Sequence, residues 1–475
     1  MLALAGCTIG PNYQRPEVVA PKVFQYEAKD AAETADTLWW QQFHDPVLDQ
    51  LIDEALKHNS NVQIAAANVE QAASILTQAR SQLFPAIGYG GGAQRSRTPE
   101  PAFASLVPNY PNPASAYQAA LQVSWEIDLW GRIRRQSEAA YANVLATNEA
   151  RRGVILSLVA QVAVSYLQLR GLDAQLEVAN KTLGTYKESV DLFTLQFQYG
   201  QVSMMNVAQA QSQYETAAAQ IPLIESQIAQ AQSSLAVLIG RDPGPIARGR
   251  SVYDLQLPQV PQGVPSALLE RRPDLLQSEQ QLIAANAQIG AAKALYFPTI
   301  SLTGTYGNAS SDLSNLFSGP TRVWSYAGSA IGPIFNFGAL SGQVAQAEAT
   351  QNAALLSYQL SIRNAFADVD NALVAKQKLQ EQLAAQVRLV AALQQYNELA
   401  RMQYDGGYTS YSTVLQAEQA LFPAELNLAS IRAQLFAAAV NIYKAMGGGW
   451  VAQADQLTGS STPAPATSAL PPPLF

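Results

Sequence analysis

Residues 116–131 read AYQAALQVSWEIDLWG. Tyr117, Ala119, Leu121, Val123, Trp125 and Ile127 alternate with Gln118, Ala120, Gln122, Ser124, Glu126 and Asp128. Successive side chains of a strand point to opposite faces, so this stretch forms a strand with one apolar, aromatic face and one small or polar face. A tilted strand crosses a bilayer in about 9–11 residues, so this one is long enough. Gly131 then opens a helix-forming tract with no proline before Pro222. At 1.5 Å per residue, residues 132–199 would make a continuous helix about 100 Å long.

The same arrangement occurs twice. Phe84-Pro85 and Phe297-Pro298 each stop a helix and start a glycine-dotted polar run. Trp130-Gly131 is answered by Phe337-Gly338, and the segment from Gly200 to Ala210 by that from Gly407 to Ala417. Both pairs lie 207 residues apart (338 − 131 and 407 − 200). The first unit, residues 48–239, is expected to hold a helix reaching from about 46 to 83, strands at 85–98 and 116–129, and a helical hairpin with its tip near 199–203. Five prolines in residues 99–113 exclude regular structure between those strands. The second unit, residues 273–446, has a helix at 273–296, strands at 299–308 and 323–336, and a hairpin with its tip near 405–410. Residues 240–272 join the units, and the Gly-, Ser- and Pro-rich residues 447–475 read as an irregular tail.

Charged residues are 14% of the 475 and the net charge is −7, with no basic patch, which excludes nucleic acid as a partner. His44 and His58 are the only histidines and have no ligand-like neighbours, so no metal site is expected. No phosphate loop, nucleophile elbow or dinucleotide fingerprint is present, and the chain is not expected to be an enzyme. Glu126 and Asp128 read as solvated groups near a barrel rim rather than an acid pair, and Asp368 and Asp370 as surface or lumen charge. The strongest apolar run, residues 154–169, contains Gln161, Gln168 and two serines. It reads as the buried stripe of a long helix rather than a membrane span.

Cys7 is the sole cysteine. Its setting, Leu4-Ala5-Gly6-Cys7, resembles the lipobox of bacterial lipoproteins, in which the cysteine receives a diacylglycerol and an N-palmitoyl group. Residues 1–6 would then be the remnant of a signal peptide, and six residues are too few for a complete one. The natural start is expected upstream.

Four strands cannot close a membrane barrel, since the smallest have about eight. Open edges are not tolerated in lipid, where unpaired N–H and C=O groups find no water. Several chains must therefore share one barrel. Two would give eight strands and a filled interior, and three would give twelve with room for a lumen.

A further stretch is more specific: Leu269-Glu270-Arg271-Arg272-Pro273-Asp274-Leu275, then Glu279, Leu282, Ala285, Ala287, Ile289-Gly290, Ala292, Phe297-Pro298 and Ile300. With Gly10-Pro11-Asn12-Tyr13, Arg15-Pro16, Trp39-Trp40, Phe43 and Asp45-Pro46, it resembles the outer membrane factor family. These are the TolC-like exit ducts of tripartite efflux pumps and type I secretion, and the likeness is to their outer-membrane efflux lipoprotein branch. It covers essentially residues 7–450.

The resemblance implies a mixed α and β membrane protein in a Gram-negative outer membrane. Three chains would give four strands each to one barrel and build a long α-helical periplasmic tunnel. Residues 7–47, the 240–272 linker and the tail would form an equatorial belt. It implies passive conduction of drugs or other small toxic compounds, received from a periplasmic adaptor protein and an inner-membrane pump. A type I secretion duct and a non-transporting structural lipoprotein are the alternatives.

The family's adaptor-docking Gly-x-x-Ser/Thr tip is matched by Gly200, Val202 and Ser203 in the first hairpin, and by Gly407, Thr409 and Ser410 in the second. At the periplasmic gate the family's Val-Leu-Asp-Ala segment is Val414-Leu415-Gln416-Ala417 here, so Gln416 replaces an axial carboxylate. A second acidic position is Thr413. The resemblance implies a constriction from Gln416, Thr413 and Tyr411, with Tyr404 latched to Asn206 by a hydrogen bond.

Overall fold

The computed structural model describes residues 8–18, 24–26, 37–97, 99, 112–260 and 265–458. Cys7, the remnant signal segment and the end of the tail lie outside the described residues.

Helix α1 (Pro46–His58) and α2 (Ser60–Ser81) lead to strands β1 (Ala86–Ser96) and β2 (Ala114–Ile127). Helix α3 (Arg132–Gln198) and α4 (Met204–Leu238) form the first hairpin. A single helical turn, Leu268–Arg271, precedes α5 (Pro273–Ala294), β3 (Thr299–Ser310) and β4 (Arg322–Ile331). Helix α6 (Ala339–Asp405), α7 (Tyr411–Met446) and α8 (Trp450–Leu457) complete the chain. Both α3 and α6 have 67 residues, about 100 Å at 1.5 Å per residue. Their ends are displaced by the same 207 residues as the glycine landmarks. Helices α2 and α5, of 22 residues each, are displaced by 213 (273 − 60). The difference falls between the strands: 17 residues separate β1 from β2 and 11 separate β3 from β4.

The four strands form one antiparallel sheet in the order β1-β2-β3-β4. Its central seam, β2 against β3, joins the two repeats, with Ile127 opposite Ile300 and Tyr117 opposite Ser310. Tyr89, Leu121, Tyr306 and Trp324 lie in one row across the sheet, on the apolar face. Gln118, Gln122, Ser124, Ser301, Thr305, Ser325 and Ser329 line the other face, where the hydroxyls of Ser301 and Ser329, and of Thr305 and Ser325, pair at 2.7 Å.

Helix α3 is the hub, lying against α1, α2, α4, α5 and α7. The apolar run at residues 154–169 is its most enclosed part, with Ile155, Val159, Val162, Ala163, Tyr166, Leu167 and Leu169 buried. Gly171 allows α7 to approach, because a Cβ there would sit 2.6 Å from the Cβ of Ala433.

The segment before α1 meets α7 and α8 in an aromatic cluster. The Trp39 ring stacks on Tyr443 at 5.4 Å, and Trp40 meets Trp450 edge-on at 5.5 Å. Asp45 caps α1 by accepting from Val47 N, and also accepts from the Tyr166 hydroxyl at 2.8 Å and from Arg250 N.

Residues 8–18 follow α5 and account for much of the motif chemistry. Tyr13 and Arg15 donate to the two oxygens of Glu279, Arg135 donates to Ile9 O, Gly10 O and Asn12 Oδ1, and Asn286 donates to Pro11 O. Gly10 and Gly290 touch backbone to backbone, since a Cβ on Gly10 would lie 2.4 Å from Gly290 Cα.

Several expectations are corrected. The helix expected over residues 46–83 breaks at Asn59, which is extended and whose side chain accepts from Asn61 N and Val62 N to start α2 afresh. Strand β4 ends at Ile331, not 336, because Pro333 has no N–H to give to β3. The segment read as an irregular tail from 447 contains α8, held by the fully buried Trp450. Asp368 is exposed, as expected of surface charge, while pairing with Arg272, and the half-buried Asp370 accepts from Gln25 N.

Glu126 and Asp128 are not free rim charges. Glu126 is bidentate to Arg132, while Asp128 accepts from Ile133 N and Arg134 N and pairs with the Arg134 side chain. Together they turn the chain from β2 into α3. Asp128→Ala should therefore destabilise that junction by about 1–2 kcal/mol, as loss of a helix cap does. A thermal melt of the purified protein checks this, and an unchanged midpoint would remove Asp128 from that role.

Candidate functional site: the hairpin tips and the sheet edges

Both hairpins reverse in the same way. Gly200 has φ +72° and Gly407 has φ +74°. Gly200 N donates to Phe197 O and Gln201 N to Gln196 O, and Gly407 N donates to Tyr404 O and Tyr408 N to Gln403 O. That is a helix C-terminus closed by a left-handed residue, a conformation in which glycine carries no Cβ penalty. A Cβ at either glycine would meet nothing, so backbone conformation alone requires glycine there.

Ser203 and Ser410 stand at the N-caps of α4 and α7, yet neither side chain caps. The Ser203 hydroxyl donates to Asn206 Oδ1 at 2.8 Å, and the hydroxyls of Ser410 and Ser412 pair, as do those of Thr409 and Thr413. The first-turn amides of both helices are thus left without a side-chain cap. Around them the tips expose apolar side chains: Tyr199, Met204 and Met205 in the first, Met402 and Tyr408 in the second. The motif match picked out the glycines and hydroxyls but passed over these flanking residues, although they adjoin it in sequence.

Of the residues expected at the gate, Gln416 is exposed and Thr413 half-buried. Tyr411 is buried and does not project with them. It packs against Phe193 of α3 at 4.1 Å between ring centroids and meets Tyr404 at 5.4 Å. With Ala210, Ala400, Val414, Leu415 and Ala417 these rings form a small separate core that joins the two hairpins just behind their tips. Burial pushes the Tyr411 hydroxyl up to about 12. The Tyr404–Asn206 bond is not formed: Asn206 is engaged by Ser203 within its own hairpin, and the Tyr404 ring belongs to the aromatic core. Phe193 was missed because only a three-dimensional contact marks it.

One layer further from the tips, Arg401 of α6 donates to the buried Glu418 of α7 at 2.5 Å, and the Tyr186 hydroxyl of α3 donates to the Glu418 carbonyl oxygen. Burial raises the Glu418 pKa while Arg401 opposes that rise. Among the described residues no group of His, Cys, Asp and Glu could hold a metal ion.

At the other end of the molecule, β1 and β4 each have one neighbour, so both lateral edges of the sheet are open. Large apolar side chains on it face outward, including Tyr89 (92% exposed) and Tyr326 (82%).

A duplicated unit with membrane-length strands and two long hairpins matches known proteins over nearly its whole length. The family profile described as "Outer membrane efflux protein" matches residues 51–241 and 264–448, and the chain belongs to that family. It is 37% identical over 471 residues to the probable efflux pump outer membrane protein TtgC of Pseudomonas putida, covering 97% of each chain. It is 34% identical over 455 residues to the cation efflux system protein CusC of Escherichia coli, covering 94% of this chain and 97% of that one. Among solved structures, CusC superposes with a TM-score of 0.83 at 33% identity over 93% of this chain and 100% of its own. The outer-membrane channel OprN gives 0.87 at 30% identity over 94% and 100%. The protein is an outer-membrane channel component of tripartite efflux pumps, a transport protein and not an enzyme.

Proposed function

We propose that three copies of the chain close one twelve-stranded barrel and one helical tunnel, which conducts small toxic compounds passively from a periplasmic adaptor and inner-membrane pump to the exterior. The observation that carries this reading is the sheet itself. Its two edges are open and one face is aromatic, and a bilayer accepts such strands only when the barrel is closed.

The tips dock the adaptor. Gly200, Val202 and Ser203, with Gly407, Thr409 and Ser410, present small residues beside exposed Tyr and Met side chains, a surface suited to an apolar helical hairpin. Thr413 and Gln416 narrow the tunnel without negative charge, so this constriction does not gather cations. The inner face of the strands is almost neutral, its Glu126 being paired with Arg132, which leaves substrate choice to the pump. Cys7 carries the diacylglycerol and palmitoyl groups that anchor the chain. Support comes from the next residue: Thr8 lies against Gly131, and Ile9 N donates to Trp130 O, at the junction of sheet and helices. A lipid attached there would meet the periplasmic leaflet.

Co-purification with the native adaptor and pump, followed by export assays in a deletion strain, tests the assignment. The double variant Tyr199→Asp with Tyr408→Asp, at two exposed tip positions, should reach the outer membrane and assemble as usual. It should lose adaptor binding and raise drug sensitivity to that of the deletion strain, because each carboxylate would be desolvated in the contact without a partner. Full export by that variant would place docking elsewhere.

A further inference from the structure

We infer that Arg95, Arg97 and Arg322 form a binding row for phosphorylated glycolipid of the outer leaflet, at the exterior end of the sheet on its lipid-facing side. The inference goes beyond conduction and needs only the outer-membrane placement of the chain.

Charge is distributed unequally between the two ends of the sheet. At residues 86, 127, 299 and 331 the strands meet the helices. The cations nearby are neutralised, Arg132 by Glu126, Arg134 by Asp128 and Lys293 by Glu348. The opposite end faces the exterior. There Arg95, Arg97 and Arg322 are all exposed, and none has an ion-pair partner among the described residues. Asp312 is the only acid among the described residues at that end. The sequence conceals the row, because Arg97 and Arg322 are 225 residues apart (322 − 97).

The strand register brings the arginines to one level. Tyr117, three residues into β2, pairs with Ser310 at the end of β3, and Asn308 pairs with Arg322 at the start of β4. At the helical end Ala86 starts β1 opposite Ser124, and β2 runs on to Ile127. The stagger has one sense at both ends. It belongs to strands tilted across a slab, so Arg95 and Arg322 reach the same boundary.

Both lie on the lipid side. Arg95 has the parity of Tyr89, and Arg322 that of Trp324 and Tyr326, so they share the apolar face. The Arg322 guanidinium lies 5.9 Å from the Tyr306 ring centroid, and Trp324 stacks on Tyr326 at 5.7 Å. Aromatic rings mark the girdle where hydrocarbon gives way to headgroups. A ring positions a guanidinium without neutralising it. At that depth an arginine escapes the cost it would carry at the midplane, yet three charges against one acid still call for an anion. The side of the sheet decides the source. A lumen or loop site would suit a solute, whereas this face meets lipid. Phosphate fits the row because a planar guanidinium donates two parallel hydrogen bonds to its oxygens.

The test is lipid retention by the full-length protein purified in neutral detergent. Wild type should hold labelled lipid A, a diphosphorylated glucosamine glycolipid, about tenfold more tightly than the same lipid after dephosphorylation. The triple variant Arg95→Gln, Arg97→Gln and Arg322→Gln should lose that preference while assembling as wild type, because all three side chains are exposed. Lysine at the same three positions should keep only part of it. Equal retention of the two lipids by wild type would overturn the inference, and this comparison needs no variant to fold. An unchanged preference in the glutamine variant would overturn it as well. Inorganic phosphate at matched concentration should leave the lipid in place. Displacement would assign the row to free phosphate and overturn the lipid source.

Discussion

Arg272→Ala should destabilise the protein by about 2–3 kcal/mol, the cost of losing a buried side chain's packing and its charge-assisted hydrogen bonds. The Arg272 guanidinium is buried where three elements meet. It forks onto both oxygens of Asp274 at the start of α5, at 3.0 and 2.7 Å, and reaches Asp368 of α6 at 3.0 Å. Its remaining nitrogen donates to Ala445 O, at the end of α7, and to Ala365 O. Removing the side chain takes a donor from two carbonyl oxygens and leaves the half-exposed Asp274 and Asp368 to water. Arg272→Lys should recover only a small part, because an ammonium cannot span the fork and the carbonyls at once. The contrasting substitution is Arg15→Ala: the Arg15 side chain is half exposed and the buried Glu279 keeps the Tyr13 hydroxyl, so the cost should be smaller, about 1 kcal/mol. Denaturant titration of the purified assembly measures all three. If Arg272→Ala unfolded with Arg15→Ala, the three-helix tie would not be what the motif provides.

Phe193→Ala should have its largest effect at the tips. Phe193 is 1% exposed and its ring, beside Val190, carries α3 into the cluster of Tyr404 and Tyr411. Truncating a buried phenylalanine costs about 3–5 kcal/mol. The tip core is small and separate from the larger clusters, so the loss should appear as local opening rather than global unfolding. The expected phenotype is a normally assembled protein whose tips are nicked faster by protease, in cells newly sensitive to large hydrophilic antibiotics. Phe193→Leu, which refills most of the volume, should restore both. Unchanged nicking and unchanged sensitivity would mean that the aromatic core does not hold the tips together.

The long-range frame was legible because it repeats and because its local signals are strong. The period-2 alternation around Trp125 marked β2, and Gly200 and Gly407 marked helix ends that only a left-handed residue could close. Elements whose identity depends on partners far along the chain were not legible. Asn59 breaks a continuous helical pattern by capping α2 itself, and its Nδ2 is tied to Leu238 O, 179 residues away. Residues 447–458 have the composition of a tail, yet Trp450 turns them into a buried helix by packing on Trp39 and Trp40. Glu126 and Asp128 looked like solvated charge because their partners Arg132 and Arg134 lie on the next element. At the tips, family correspondence marked Tyr404, Asn206 and Tyr411 without saying which groups touch. The aromatic core draws two of them away from the roles expected, and only Thr413 and Gln416 remain as candidates to line the constriction.

The central claim is that this chain assembles a water-filled conduit held nearly shut at its periplasmic end by packing between hairpins rather than by a ring of charge. Single-channel current through the purified protein in planar bilayers, wild type against Phe193→Ala, tests it most directly. The expected record is small, discrete steps for the wild type and steps several-fold larger for the variant, with little change of either when pH is taken across the carboxylate range. An assembled wild type with no current, or a variant with wild-type conductance, would contradict it.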